Sequence, residues 1–194
     1  SMGYEGLVRS SKDYIQPVLG AACLSLPIMA VLPEQRRVAV GIGAVYFVLH
    51  LLSSLASRGA GGFAKAFGGE ERSARLLWWM NLGVFGLMAA GILTDFRPAV
   101  IVAFVLLAVF QNFWRPILIG RVATHADSTQ TATVLSIESQ ANSLFVALVA
   151  PLLGWSIDQL ASGGRELPFL PVAALGLTLS SLILVTGRRS TALR

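Results

Sequence analysis

Glu138 is the only carboxylate set well inside an apolar segment of this 194-residue chain. An ionisable side chain within hydrocarbon costs roughly 2.5–3.5 kcal/mol on insertion scales, so it needs a reason to be there. Three chemistries fit: a proton or cation carrier, a partner for a cationic group of a solute, or a neutral or paired group that fixes helix packing. Arg115 stands about one turn inside the end of a second apolar segment. At a rise of about 1.5 Å per residue it is roughly 6 Å deep and Glu138 roughly 10 Å deep. Arg115 therefore either pairs with Glu138 or snorkels to the interface.

Other polar groups recur at helical spacing. Gln111 precedes Arg115 by one turn on the same face, with Asn112 beside it, and Asn142 follows Glu138 by one turn. Gly43, Tyr46, His50 and Ser53 form a polar stripe in an otherwise apolar stretch. Such a stripe faces protein or water, because nothing in lipid satisfies it. His50 there either shuttles protons, contacts solute, or is satisfied by its Tyr and Ser neighbours. Ser136, Gln140, Ser143, Ala147, Ala150 and Gly154 share one side of their segment, and small residues of this kind are expected to let helices approach closely.

No catalytic constellation is present. The chain has no G-x-S-x-G with a buried His, no H-E-x-x-H, and neither glycine-rich nucleotide-binding pattern. Two His and one Cys leave little for a zinc site, and Asp13, Asp95, Asp127 and Asp158 are far apart. No enzyme activity, cofactor or metal is expected.

The elements that must position these groups follow from composition. Apolar residues make up 55% of the chain and charged residues 13%, with a mean hydropathy of +0.70; soluble domains carry about 25% charged residues. An integral membrane protein is the reading. Cys23 is the single cysteine and cannot form an internal disulfide. The net charge of +5 is scattered between apolar segments, as expected of cations kept on cytoplasmic loops rather than of a nucleic-acid binder.

A bilayer core of about 30 Å needs about 20 apolar residues per helix. Six segments qualify: Ile15–Leu32, Val38–Ser57, Leu76–Leu93, Pro98–Ile119, Ala132–Leu153 and Leu167–Thr186. The expected fold is therefore all-α integral membrane, with six transmembrane helices in a membrane domain over 15–186 and a cytoplasmic tail over 187–194. Residues 1–14 read as a cleavage scar at Ser1-Met2 followed by a cytoplasmic lead-in. With both termini inside, ten Lys and Arg fall on inner segments and four on outer ones, which orients the chain. A multi-pass protein of the cell (inner) membrane with both termini cytoplasmic is expected.

The loop Arg58–Arg75, with five glycines, is expected to be non-helical. Trp78, Trp79 and Trp155 occupy interfacial belt positions. Pro17 and Pro27 are placed to kink the first helix, whereas Pro168 and Pro171 fall in the first turn of the last, where proline costs little.

The stretch Thr131–Asp158 resembles the eleventh helix of major facilitator superfamily transporters. Ala132, Thr133, Leu135 and Ser136 match the pattern that enters the membrane, with Thr131 where the family often has Arg. Pro151, Gly154 and Asp158 match the pattern that leaves it. A degenerate form of the family's loop signature lies at Leu55, Ala56 and Arg58, with Ser53 and Ser57 replacing its Gly and Asp. The resemblance implies the carboxy-terminal six-helix half, helices seven to twelve, built as two inverted three-helix repeats over 15–93 and 98–186. It implies alternating-access transport of a small solute, with proton coupling expected, and an amino-terminal six-helix half as partner alongside the lipid bilayer. The family's cavity-lining helices correspond to the first, second, fourth and fifth segments, which favours His50, Gln111, Glu138 and Asn142 over Asn81; with Arg115 these are the expected substrate or coupling residues. The alternatives are a six-helix substrate-binding subunit of an ATP-driven uptake system and a non-transporting scaffold.

Overall fold

The structure, a computed structural model, describes residues 2–12, 14–25, 33–125, 128–162 and 169–191. The described residues form seven helices and no strand: α1 Met2–Lys12, α2 Ile15–Ser25, α3 Glu34–Ala66, α4 Glu70–Leu93, α5 Arg97–His125, α6 Ser128–Ser162 and α7 Leu170–Thr191. Four of them, α3 to α6, are long and apolar enough to cross a membrane, and Leu170–Thr186 in α7 is a shorter apolar stretch. These helices mark a membrane-embedded protein. Of the first expected span, Ile15–Ser25 is helical as α2, and residues 26–32 with Pro27 lie outside the described residues. Pro168, Arg165 and Asp127 lie outside them too.

The helices outrun the apolar segments. α3 has 33 residues and α6 has 35, or about 50 Å each at 1.5 Å per residue, well beyond a hydrocarbon core of about 30 Å. α6 runs unbroken through Pro151, Gly154 and Asp158.

α5 is the central helix. It packs against α3 on one side, α4 on another, and the α1–α2 segment. Hydrophobicity gives helices no reason to associate within lipid, so close packing and small residues do the work. Leu49, Ser53, Ala56, Ala60 and Ala64 form a narrow buried stripe on α3. A β-carbon at Gly59 would sit 3.6 Å from the Phe113 ring of α5. This packing explains a correction: the glycine-rich segment after Ser57 is helical to Ala66. Each Gly costs about 1 kcal/mol relative to Ala in a helix, a penalty that tertiary packing offsets.

The real break lies further on. Gly68, at φ 81°, is followed by the Gly69 amide donating to the Ala64 carbonyl at 2.8 Å, and the Gly68 amide donates to Lys65 at 3.3 Å. This crossed pair is the Schellman arrangement, and it needs a left-handed residue that glycine supplies freely. α4 ends the same way. The Phe96 amide donates to Gly91 at 2.8 Å across Asp95, which holds the left-handed conformation at φ 50°.

α7 closes on α4. Phe85 lies directly over Gly176, whose missing side chain leaves room for the ring, and the Asn81 amide donates to Ser180 Oγ at 3.2 Å. Asn81 is thus a buried inter-helix tie rather than a cavity group.

Three further expectations change. Pro17 is the third residue of α2 and sits in its first turn, where no intrahelical hydrogen bond is lost. Trp78 is buried against Tyr4 and Trp114, while Trp79 and Trp155 are exposed. The small-residue side of α6 is mostly exposed: Ser136, Gln140, Ser143 and Ala147 have no helix over them among the described residues.

Candidate functional site

The segment expected as a lead-in is a structural element at the heart of the site. In α1, Tyr4, Leu7, Val8 and Ser11 recur at i, i+3, i+4 and i+7, and all are buried. Glu5 in its first turn and Arg9 and Lys12 in its last complement the helix dipole. Tyr4 stacks on Trp114 with ring centroids 4.3 Å apart and meets Trp78 edge-on at 5.1 Å. Burial raises the Tyr4 phenol's pKa, and its hydroxyl has no hydrogen-bond partner among the described residues. Gly6 lets α1 approach α6: a β-carbon there would meet the Phe145 ring and lie 2.9 Å from Asn142 Oδ1.

This docking buries the Glu5 carboxylate, 4% exposed. Arg115 Nη1 donates to both of its oxygens at 3.0 and 2.9 Å, and Asn142 Nδ2 approaches Oε2 at 3.4 Å. The partner of Arg115 is therefore Glu5 and not Glu138, across 110 positions of sequence. With its side chain 51% exposed, Arg115 keeps one flank open to the cavity described below.

Glu138 is buried on α6, one turn before Asn142. Among the described residues neither carboxylate oxygen has a hydrogen-bond partner, and neither does Asn142 Oδ1. The charges of Glu5 and Arg115 both act on Glu138. Two buried carboxylates thus share one arginine, which is committed to the first. A buried carboxylate without partners has a desolvation cost that a proton or a cation relieves.

On the other side of Arg115, a cavity of about 330 Å³ is lined by Glu5, Lys12, Leu49, His50, Ser53, Ala108, Gln111, Asn112 and Arg115. A second cavity, about 410 Å³, is lined by Arg9, Lys12, Gln16 and Tyr46. Lys12 lines both, and the Tyr46 and His50 rings lie 6.1 Å apart. These volumes are in the range of small-molecule sites.

The structure therefore gathers His50, Gln111 and Arg115 around one cavity, and sets Glu138 and Asn142 behind Glu5 on α6. Tyr46, His50 and Ser53 of the α3 stripe all line one of these two cavities; Gly43 lines neither. Glu5, Arg9 and Lys12 went unread as site residues. Their signal was the amphipathic spacing of Tyr4, Leu7, Val8 and Ser11. Among the described residues no cluster of His, Cys, Asp and Glu is fit to hold a metal. Comparison of the chain with family models, curated proteins and solved structures finds no match.

Proposed function

We propose that the chain is the carboxy-terminal six-helix half of a secondary-active transporter of the major facilitator type. The cavity between α1, α3 and α5 takes a small solute, and Glu138 serves proton coupling. The observation that carries this reading is the arrangement around Arg115: a polar cavity between the short α1 and two helices long enough to span a bilayer, α3 and α5, with a buried carboxylate that has no hydrogen-bond partner among the described residues beside the Glu5–Arg115 pair. Protonation of Glu138 changes the field on Arg115, and Arg115 lines the cavity, so occupancy of one site alters the other through a single side chain.

The large apolar faces left bare on α3 (Phe47, Leu51, Leu55) and α6 (Leu144, Leu148, Leu152) suit lipid and a second six-helix half. In this reading both termini are cytoplasmic, in the cell membrane, and α2 to α7 contribute to two inverted repeats.

The test is proton flux in liposomes holding the chain with and without a co-expressed amino-terminal half, on addition of candidate solutes. Solute-driven flux that needs both halves and disappears in Glu138→Gln supports the proposal. Tight solute binding by the chain alone, indifferent to the second half, would replace it with a substrate-binding subunit.

A further inference from the structure

We infer that the paired cavities recognise an organic anion, whose carboxylate or phosphate oxygens are held by Arg9 and Lys12 while its polar body reaches His50, Gln111 and Asn112. This rests on reading the cavities as a solute site and names the class of solute.

Charge balance carries the argument. Three cations line the two cavities, Arg9, Lys12 and Arg115, against one carboxylate, Glu5. That carboxylate is engaged by Arg115 at 2.9 Å. Arg9 and Lys12 have no acidic partner among the described residues; Asp13, adjacent in sequence, lies outside them. Besides His50 and the apolar Leu49 and Ala108, the remaining lining groups are amides and hydroxyls that can donate: Gln16 and Tyr46 in the larger cavity, Gln111, Asn112 and Ser53 in the smaller. Ser53 Oγ is buried with no partner of its own among the described residues.

A cationic solute would meet two positive charges that have no acidic partner among the described residues. A neutral solute would cover them without offering any acceptor charge, and covering an unpaired charge is costly. Anionic oxygens answer both, through a guanidinium that can bind them in a fork and an ammonium that acts as a point charge. Because Lys12 lines both cavities, one solute can span them with its anionic end at Arg9 and Lys12. A phospholipid headgroup offers the same oxygens as a free solute, and the experiment separates the two sources.

The experiment is calorimetric titration of the purified chain in phosphatidylcholine nanodiscs, with citrate and inorganic phosphate as probes and choline and glucose as controls. The inference expects saturable binding of at least one anion, none of choline or glucose, and at least tenfold weaker binding in Arg9→Gln and in Lys12→Gln, with Lys12→Arg retaining it. Arg9 is exposed and Lys12 half-buried, and near-ultraviolet circular dichroism of the Tyr4–Trp114–Trp78 cluster confirms that the variants are folded. Selective retention of phosphatidylglycerol, lost in the same two variants, supports the site and assigns the oxygens to a headgroup. Binding of choline or glucose in preference to anions, anion binding unchanged in both variants, or no anion retained from either source overturns the inference. Anion binding with no solute-driven flux would refute the transport reading and leave this one standing. Flux driven by choline or glucose alone would do the reverse.

Discussion

The Glu5–Arg115 pair predicts an asymmetry between its two deletions. Arg115→Gln removes the only cation that, among the described residues, is bonded to a carboxylate 4% exposed, leaving it the 3.4 Å contact from Asn142. Removing one partner of a fully buried ion pair costs about 3–5 kcal/mol. Arg115 is 51% exposed, so its charge is partly screened by solvent, and we discount the loss to about 2 kcal/mol. Glu5→Gln leaves the opposite situation. The freed guanidinium already reaches the cavity, and Glu138 is a second carboxylate within its field. That loss should be about 1 kcal/mol or less, in the range of an ordinary hydrogen bond.

The double variant should resemble Glu5→Gln alone, giving a coupling as large as the Arg115→Gln loss itself, about 2 kcal/mol, in a double-mutant cycle. Reversible unfolding in mixed micelles, followed by the fluorescence of Trp114 and Trp78 beside the pair, measures all four corners. Equal losses in the two single variants that simply add would refute the reasoning, because they would mean that Glu5 is not buried against Arg115.

Three further outcomes follow from the packing. Gly176→Ala should destabilise by about 1–3 kcal/mol, since its methyl group would fall on the Phe85 ring between α7 and α4; a thermal melt in detergent measures it. Asp95→Gly should raise the melting temperature, by up to about 1 kcal/mol in stability, because Asp95 holds a left-handed conformation at φ 50° that glycine adopts without strain. Tyr4→Phe should leave stability at neutral pH unchanged or slightly raised, as the phenol hydroxyl has no partner. Burial raises the Tyr4 pKa, so the phenol's contribution is full below its ordinary pKa of about 10 and is lost as pH rises further; Tyr4→Phe should therefore flatten the alkaline fall of the melting curve.

What was legible in the sequence was what short-range periodicity records. The end of α4 at Leu93 and the polar face of Tyr46, His50 and Ser53 follow from hydropathy and the spacing of a single helix. The shared helix face of Gln111 and Arg115 follows in the same way, but not their place at a cavity. The partner of Arg115 did not, because depth along a helix axis places Glu138 near it as well as Glu5, and only the docking of α1 chooses between them. α1 itself was hidden by its low hydropathy: with Glu5, Arg9, Ser10, Ser11 and Lys12 it has no apolar run, only an apolar stripe. The glycines after Ser57 misled for a related reason. Their helix is held by Phe113 and by the alanine stripe facing α5, contacts that composition does not encode. Whether the small residues of α6 pack was equally beyond one chain's pattern, since their partner surface is not supplied by the helices described here.

The central claim is that the cavity beside Arg115 is an aqueous solute site within a membrane-embedded helix bundle. Thiol accessibility in sealed membranes tests it most directly. On a Cys23→Ser background, His50→Cys, Gln111→Cys and Phe47→Cys are challenged with a membrane-impermeant, water-soluble thiol reagent from each side. His50 and Gln111 line the cavity, whereas Phe47 is 71% exposed on the apolar face of the same helix as His50. The account predicts labelling at His50→Cys and Gln111→Cys from one side only, slowed by a bound anion, and none at Phe47→Cys. Labelling at Phe47→Cys with His50→Cys and Gln111→Cys inert would place water on the opposite face of α3 and contradict it.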